Sequence, residues 1–191
     1  MASKQLEGLS PIIDARARVL ILGSFPSQAS LAAGQYYAHK QNQFWKILGV
    51  ILQQPLFEMN YADKQTAVKD AGIAIWDAYA ECERAGSLDS AIRNGLTNDF
   101  GQLKESAPNL GHICFNGQAA GRFASHLETL GFTALILPST SPANATWSFE
   151  RKLAAWRKGL GVVVDECPDS VPQALKASSI GCRRESGSIS R

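Results

Sequence analysis

The sequence predicts an α/β protein built on a short four-stranded, mainly parallel central sheet. Three observations carry that prediction. Four short, strongly apolar runs recur along the chain, at Val19–Leu22, Ile73–Trp76, His112–Phe115 and Ala134–Leu137. Runs without polar alternation suit strands buried on both faces, as in a parallel sheet between helices. Helical patterns separate the runs, so strand and helix alternate as in βαβ units. Each run also ends in polar or conformationally special residues, where a parallel sheet places its ligands.

Taken in order, Val19–Leu22 empties into Gly23-Ser24-Phe25-Pro26-Ser27. A short helix starts at Ala29–Ala33, and Phe44–Gln53 carries apolar residues at helical spacing. A helix over Lys64–Ala71 leads into Ile73–Trp76, which ends in Asp77-Ala78-Tyr79. The third strand gives way to Asn116-Gly117-Gln118 and a helix over Gly117–Leu130. The fourth ends in Pro138-Ser139-Thr140-Ser141-Pro142-Ala143-Asn144, followed by a helix over Glu150–Lys158. A fifth strand is expected at Val162–Val164, on a sheet edge. Parallel strands would bring all four polar ends to one edge, so a pocket is expected there.

A chain of 191 residues suits one domain with one good core. That domain is placed at 1–170; 171–191 is a tail, rich in Ser, Gly and Arg and expected to be disordered from about 177. No apolar run approaches the roughly 20 residues of a membrane span. The amino terminus lacks the apolar stretch of a secretory signal, so a cytoplasmic protein is expected. A net charge of +2 neither demands nor excludes nucleic acid, since a small total can hide a basic face. Arg151, Lys152, Arg157 and Lys158 read first as a solvated helix face.

Cys82, Cys114, Cys167 and Cys182 form no close pair, and His39, His112 and His126 lack ligand spacing. No metal is expected. Cys114, inside an apolar run, reads as core. The Gly23–Ser27 turn resembles an anion-binding loop but lacks the Gly-Lys-Ser/Thr of a P-loop, and Gly-x-Gly-x-x-Gly is missing. No nucleotide cofactor is expected. No Gly-x-Ser-x-Gly elbow exists either.

The segment Tyr36-Tyr37-Ala38-His39-Lys40-Gln41-Asn42-Gln43-Phe44-Trp45 is the richest in chemistry. Phe44 and Trp45 open an amphipathic helix and read as core. Tyr37 either packs inward or offers its ring to a planar ligand, which gains stacking energy. Asn42 is either a plain helix cap or a functional amide. His39 either titrates beside the ligand or fixes the loop.

Together these pieces resemble the uracil-DNA glycosylase superfamily. Gly23–Ser27 resembles its first motif and Pro138–Ala145 its second, while Tyr36–Lys46 is similar to the Phe-Ala-His-Pro-x-Asn-x-Phe-Trp-Lys segment of mismatch-specific members. The similarity spans about residues 10 to 165 and implies a three-layer α/β/α fold. Mismatch-specific members carry a catalytic asparagine third in the first motif, where this chain has Phe25. Gly-Ser-Phe-Pro with Gln-Asn-x-Phe-Trp is instead similar to the hypoxanthine-DNA (deoxyinosine) glycosylase branch, whose implicated asparagine falls on Asn42.

The resemblance implies a monofunctional enzyme that flips and hydrolytically excises a deaminated base, foremost hypoxanthine, from DNA. Asn42 would be the catalytic residue, orienting the attacking water. Gly23, Ser24, Phe25, Tyr37, His39, Asp77 and Asn116 would form the base pocket, with Tyr37 stacked on the base. Asp77 is equally readable as a helix cap. Ser27, Ser139, Ser141, Pro142, Asn144 and Trp147 would contact DNA, Trp147 either as a wedge or as helix-start packing. Arg151 and Lys152 would attract phosphates. The expected partner is DNA containing a deaminated base, bound by a monomer in a bacterial- or archaeal-type cytoplasm, at the nucleoid. Uracil or xanthine excision on the same scaffold, a non-catalytic damaged-DNA-binding module and a nucleoside hydrolase remain open at this point.

Overall fold

The computed structural model describes residues 5–165, so the expected tail at 171–191 lies outside the described residues. From the amino terminus, β1 (Gln5–Glu7) precedes β2 (Val19–Gly23), whose five residues are all buried. Ser27 caps α1 (Gln28–Ala33), its Oγ accepting the Ser30 N–H, and Gly34 closes that helix in the left-handed region at φ 62°. α2 (Phe44–Leu52) and α3 (Tyr61–Asp70) follow. Next come β3 (Ile73–Asp77), β4 (Tyr79–Glu83), β5 (Arg93–Thr97), the single turn α4 (Leu103–Ser106) and β6 (His112–Asn116). The order ends with α5 (Gln118–Gly121), α6 (Ala124–Thr129), β7 (Thr133–Leu137) and α7 (Phe149–Asp165).

The central sheet runs β3-β2-β6-β7 and every pairing in it is parallel. Alternate residues divide between two cores. Val19, Ile21, Ile73, Ile75 and Cys114 pack with Phe44, Leu48, Val68 and Trp156 from α2, α3 and α7. Leu20, Leu22, Ala74, Ile113 and Phe115 face the other way, against Leu103, Ala120 and Leu127 from α4, α5 and α6. Two apolar faces need two covering layers, and the three-layer α/β/α arrangement follows. The register sets Gly23 beside Asp77, with Asn116 at the end of the neighbouring β6. The polar strand ends therefore meet at one edge.

Three features depart from the sequence reading. A second sheet, antiparallel and ordered β1-β4-β5, was not expected. Its outer strand Arg93-Asn94-Gly95-Leu96-Thr97 is exposed throughout and lacks apolar alternation, so nothing in its pattern marks a strand. The helix expected over Gly117–Leu130 is two short helices with a break at Arg122–Phe123. The turn brings the Phe123 ring against Tyr79 and Phe100. Val162–Val164 is no edge strand: α7 continues through it to Asp165. The β-branched run favours a strand only weakly, and a helix already formed propagates at little cost.

Candidate active site at the carboxyl edge of the sheet

The first loop leaves β2 at Gly23, where a side chain could not fit. A Cβ there would lie 2.1 Å from Asp77 Oδ1 and 3.3 Å from the Tyr37 hydroxyl. Glycine thus makes the room that Asp77 occupies. Ala78 and Tyr79 donate their N–H groups to the carbonyls of Gly23 and Ser24, at 2.8 and 3.0 Å, fixing the two strand ends to each other.

Around this point a pocket is lined by Gly23, Ser24, Phe25 and Ser27 of the first loop, and by Tyr37 and Asn42 of the segment before α2. Asp77, Asn116, Ser139 and Ser141 complete the lining expected from sequence. Tyr36 and Asp89, which no sequence motif assigned to the site, share it.

The segment 36–45 is held by aromatic side chains acting through their polar ends. Tyr36 donates its hydroxyl to the Leu9 carbonyl at 3.0 Å, and Trp45 donates Nε1–H to the Tyr36 carbonyl at 2.9 Å. Tyr37 sits in the left-handed region at φ 56°, unusual for a bulky residue. One face of its ring stacks on Phe44, with centroids 3.8 Å apart. Phe44 and Trp45 are buried, as core readings require. Burial and the nearby Asp77 push the Tyr37 phenol well above its ordinary range.

Asn42 lines the pocket one residue before Gln43, the N-cap of α2: its Oδ1 accepts the Phe44 N–H at 2.9 Å, and its own N–H donates to the His39 carbonyl at 2.8 Å. The bond from Phe44 fixes the amide's orientation. With Oδ1 committed to the backbone, Nδ2 is the free donor of the side chain.

Asp77 is 4% exposed and its Oδ2 has no hydrogen-bond partner. Burial raises its pKa to about 7; the neighbouring Asp89 adds to the rise and Arg84 opposes it. Arg84 is itself buried, its guanidinium 5.0 Å over the Phe25 ring and donating to the Pro26 carbonyl. Asp89 accepts the Ser24 hydroxyl proton at 2.5 Å. No motif flags Arg84 or Asp89: both lie in a polar connection whose position depends on the unexpected antiparallel sheet.

Asn116 lines the pocket, but its amide is engaged. Nδ2 donates to Thr140 Oγ1 and Oδ1 accepts the Thr140 N–H, both at 2.9 Å. The pair locks the end of β6 to the second loop. Gln43 N–H donates to the Thr140 carbonyl at 3.1 Å, so the same residue ties that loop to α2.

Asn144 and Trp147 line an adjoining groove with Asp89, Ser139 and Ser141, next to the pocket and not within it. Trp147 is half-buried, and the Arg151 guanidinium covers its ring at 3.8 Å. Pro142 is exposed and lines neither cavity. His39 is exposed at a turn, its Nδ1 accepting the Gln41 N–H at 3.2 Å, and it does not line the pocket. The structure corrects one expected phosphate contact: Lys152 is 2% exposed, and burial lowers its pKa. Among the described residues, no group of His, Cys, Asp or Glu is placed to hold a metal ion, and no helix is long and apolar enough to cross a membrane.

Fold and site together define an α/β protein whose parallel sheet opens, at its carboxyl edge, into a small polar pocket with an aromatic wall. The chain belongs to the uracil DNA glycosylase superfamily, which it matches over residues 10–159. It is 37% identical over 150 residues to the hypoxanthine DNA glycosylase of Methanosarcina barkeri, covering 78% of this chain and 94% of that protein. It is 39% identical over 145 residues to the hypoxanthine DNA glycosylase of Methanosarcina acetivorans, covering 76% and 92%. Its fold is similar to the NMR solution structure of a Methanosarcina acetivorans protein described as a candidate uracil DNA glycosylase. The TM-score is 0.73 at 36% identity, over 81% of this chain and 98% of that one.

Proposed function

We propose that the chain is a monofunctional DNA glycosylase that releases hypoxanthine from DNA. The observation that carries this reading is the meeting of Asn42, Tyr37 and Asp77 on one pocket, in a chain similar along most of its length to hypoxanthine DNA glycosylases.

A flipped base enters the pocket against the open side of Tyr37, whose other face rests on Phe44. Asp77 meets the base edge with an unpartnered carboxyl oxygen. In its neutral form it accepts from the N1–H of hypoxanthine and donates to the adjacent C6 carbonyl, a two-bond match to that edge. Asn42, oriented by the bond its Oδ1 accepts from Phe44, donates Nδ2–H to one lone pair of the attacking water and leaves the other facing the sugar. Cleavage of the glycosidic bond builds positive charge on the sugar and negative charge on the departing base. Fixed donors aimed at that charge favour that state over the ground state. Ser27, Ser139, Ser141 and Asn144 hold the phosphates about the lesion, while Asn116 and His39 position loops and do not touch the base. The reaction needs no metal or cofactor. The enzyme acts as a monomer, through one domain at 1–170, in a cytoplasm where it meets the nucleoid.

The experiment is single-turnover base release from duplexes carrying one hypoxanthine, uracil or xanthine, by wild type and Asn42→Ala. Hypoxanthine leaves fastest, and Asn42→Ala slows it by about 10²- to 10⁴-fold while DNA affinity changes little. Retained binding without release of any base would leave a damaged-DNA-binding module. Faster release of uracil would favour the second reading, which the uracil-glycosylase description of the structural relative supports.

A further inference from the structure

Leu88 is 59% exposed, more than any other large apolar side chain among the described residues. A lone exposed leucine carries no meaning by itself. This one differs in how and where it is held. It lies in the connection between β4 and β5, and the residues on both sides of it are fastened to the first loop and α1. Ser87 Oγ accepts the Gln28 N–H at 3.0 Å, and Asp89 accepts the Ser24 hydroxyl proton at 2.5 Å. The Leu88 carbonyl accepts the Ala91 N–H at 3.0 Å, which closes a tight turn behind it. The backbone of this tip is therefore fixed while the isobutyl group stays in solvent.

Its place is as specific. Ser87 and Asp89 both line the base pocket, and Asp89 also lines the adjoining groove with Ser139, Asn144 and Trp147. Leu88 thus stands on the rim where pocket and groove meet. On the groove side, the large ring of Trp147 is half-buried and covered by Arg151. A nucleotide drawn into the pocket leaves a gap in the stack beside this rim, and a preset aliphatic side chain can fill such a gap at no ordering cost to its backbone.

We propose that Leu88 is a wedge, entering the duplex at the base step vacated by the flipped nucleotide. This rests on the glycosylase reading above. The antiparallel sheet then serves the site directly, as a stiff arm carried over the pocket mouth.

Two measurements test it. The first is single-turnover hypoxanthine release from a duplex and from the same strand alone. With Leu88→Ala, the duplex-to-single-strand rate ratio falls about tenfold, because only the duplex has a stack to hold open. Leu88→Met, which keeps an apolar side chain of similar volume, restores the ratio, and Trp147→Ala does not lower it. The second is 2-aminopurine fluorescence from the position next to the lesion, which rises on binding of wild type and not of Leu88→Ala. An unchanged ratio, an equal loss on both DNA forms, or a fluorescence rise that survives the substitution overturns the wedge. Wild type that releases no base from either DNA defeats the glycosylase reading. The fluorescence measurement, which needs binding alone, then still decides the wedge.

Discussion

Asp77 concentrates the residue-scale physics of the pocket. It is buried, has one unpartnered oxygen, and shares the site with Asp89, so its pKa near 7 falls within the working range of an enzyme. If the neutral carboxyl reads the base, hypoxanthine release falls as pH rises through about 7. Asp77→Asn keeps one donor and one acceptor but cannot titrate, so it flattens that limb; a limb of the same shape in the variant would exclude Asp77 as its source. Arg84→Met removes the charge that opposes the rise, and so moves the limb to higher pH. The same group predicts a stability effect. A folded-state pKa raised from 3.8 contributes stability that is complete below about 4 and lost as pH rises through about 7. Melting curves should therefore place Asp77→Asn above wild type at pH 8 and not at pH 4. Gly23 is bound to the same argument, because Gly23→Ala sets a methyl group where Asp77 Oδ1 stands and must displace it.

At the scale of elements, the site is a set of loops fastened to one another, with Thr140 as the central fastener. Its hydroxyl accepts from Asn116, its N–H donates to Asn116, and its carbonyl accepts from Gln43. Thr140→Val keeps the shape but strips Asn116 Nδ2 of its partner. The expected cost is about 1 to 3 kcal/mol of stability, with slower base release because the second loop loses its register on β6. Denaturant melts and single-turnover rates check both parts. Asn60→Ala is the contrast: it removes the cap that accepts the Asp63 N–H and costs about 1 kcal/mol, and it slows base release less than Thr140→Val because α3 reaches the pocket only through Tyr61, whose hydroxyl accepts the Tyr36 N–H. Elements of this kind differed sharply in how readable they were. The four central strands announce themselves because burial on both faces demands uninterrupted apolar runs, and their carboxyl ends follow once the strands are parallel. β5 is silent because an exposed edge strand bearing Arg93, Asn94 and Gly95 obeys no apolar period. Asp89 and Arg84 were hidden for the same reason, since only the antiparallel pairing brings their connection over the pocket. Asn42 could be read as cap or as functional group; Gln43 takes the cap position, and Asn42 lines the pocket while its Oδ1 holds the Phe44 N–H. Local sequence cannot place a helix start to the single residue that decides between the two.

For the whole molecule, the question is how a chain of net charge +2 holds an anionic polymer. Lys152 of α7 is buried, so the basic cluster at 151–158 offers DNA fewer charges than its sequence suggests. Arg151 is exposed, and its guanidinium lies over Trp147 at the edge of the groove. Few phosphate contacts mean little counterion release, and affinity for undamaged duplex should then fall only gently with salt. Each phosphate neutralised contributes about 0.9 to the slope of log K against log salt. Arg151→Ala is expected to lower that slope by about one and to weaken binding to all sequences alike. Lys152→Ala, by contrast, should leave the slope untouched while lowering the melting temperature, because its buried stem is packing and not a phosphate ligand. Fluorescence anisotropy at several salt concentrations measures both. A slope that drops with Lys152→Ala and holds with Arg151→Ala would invert this assignment and place the DNA across a different face of α7.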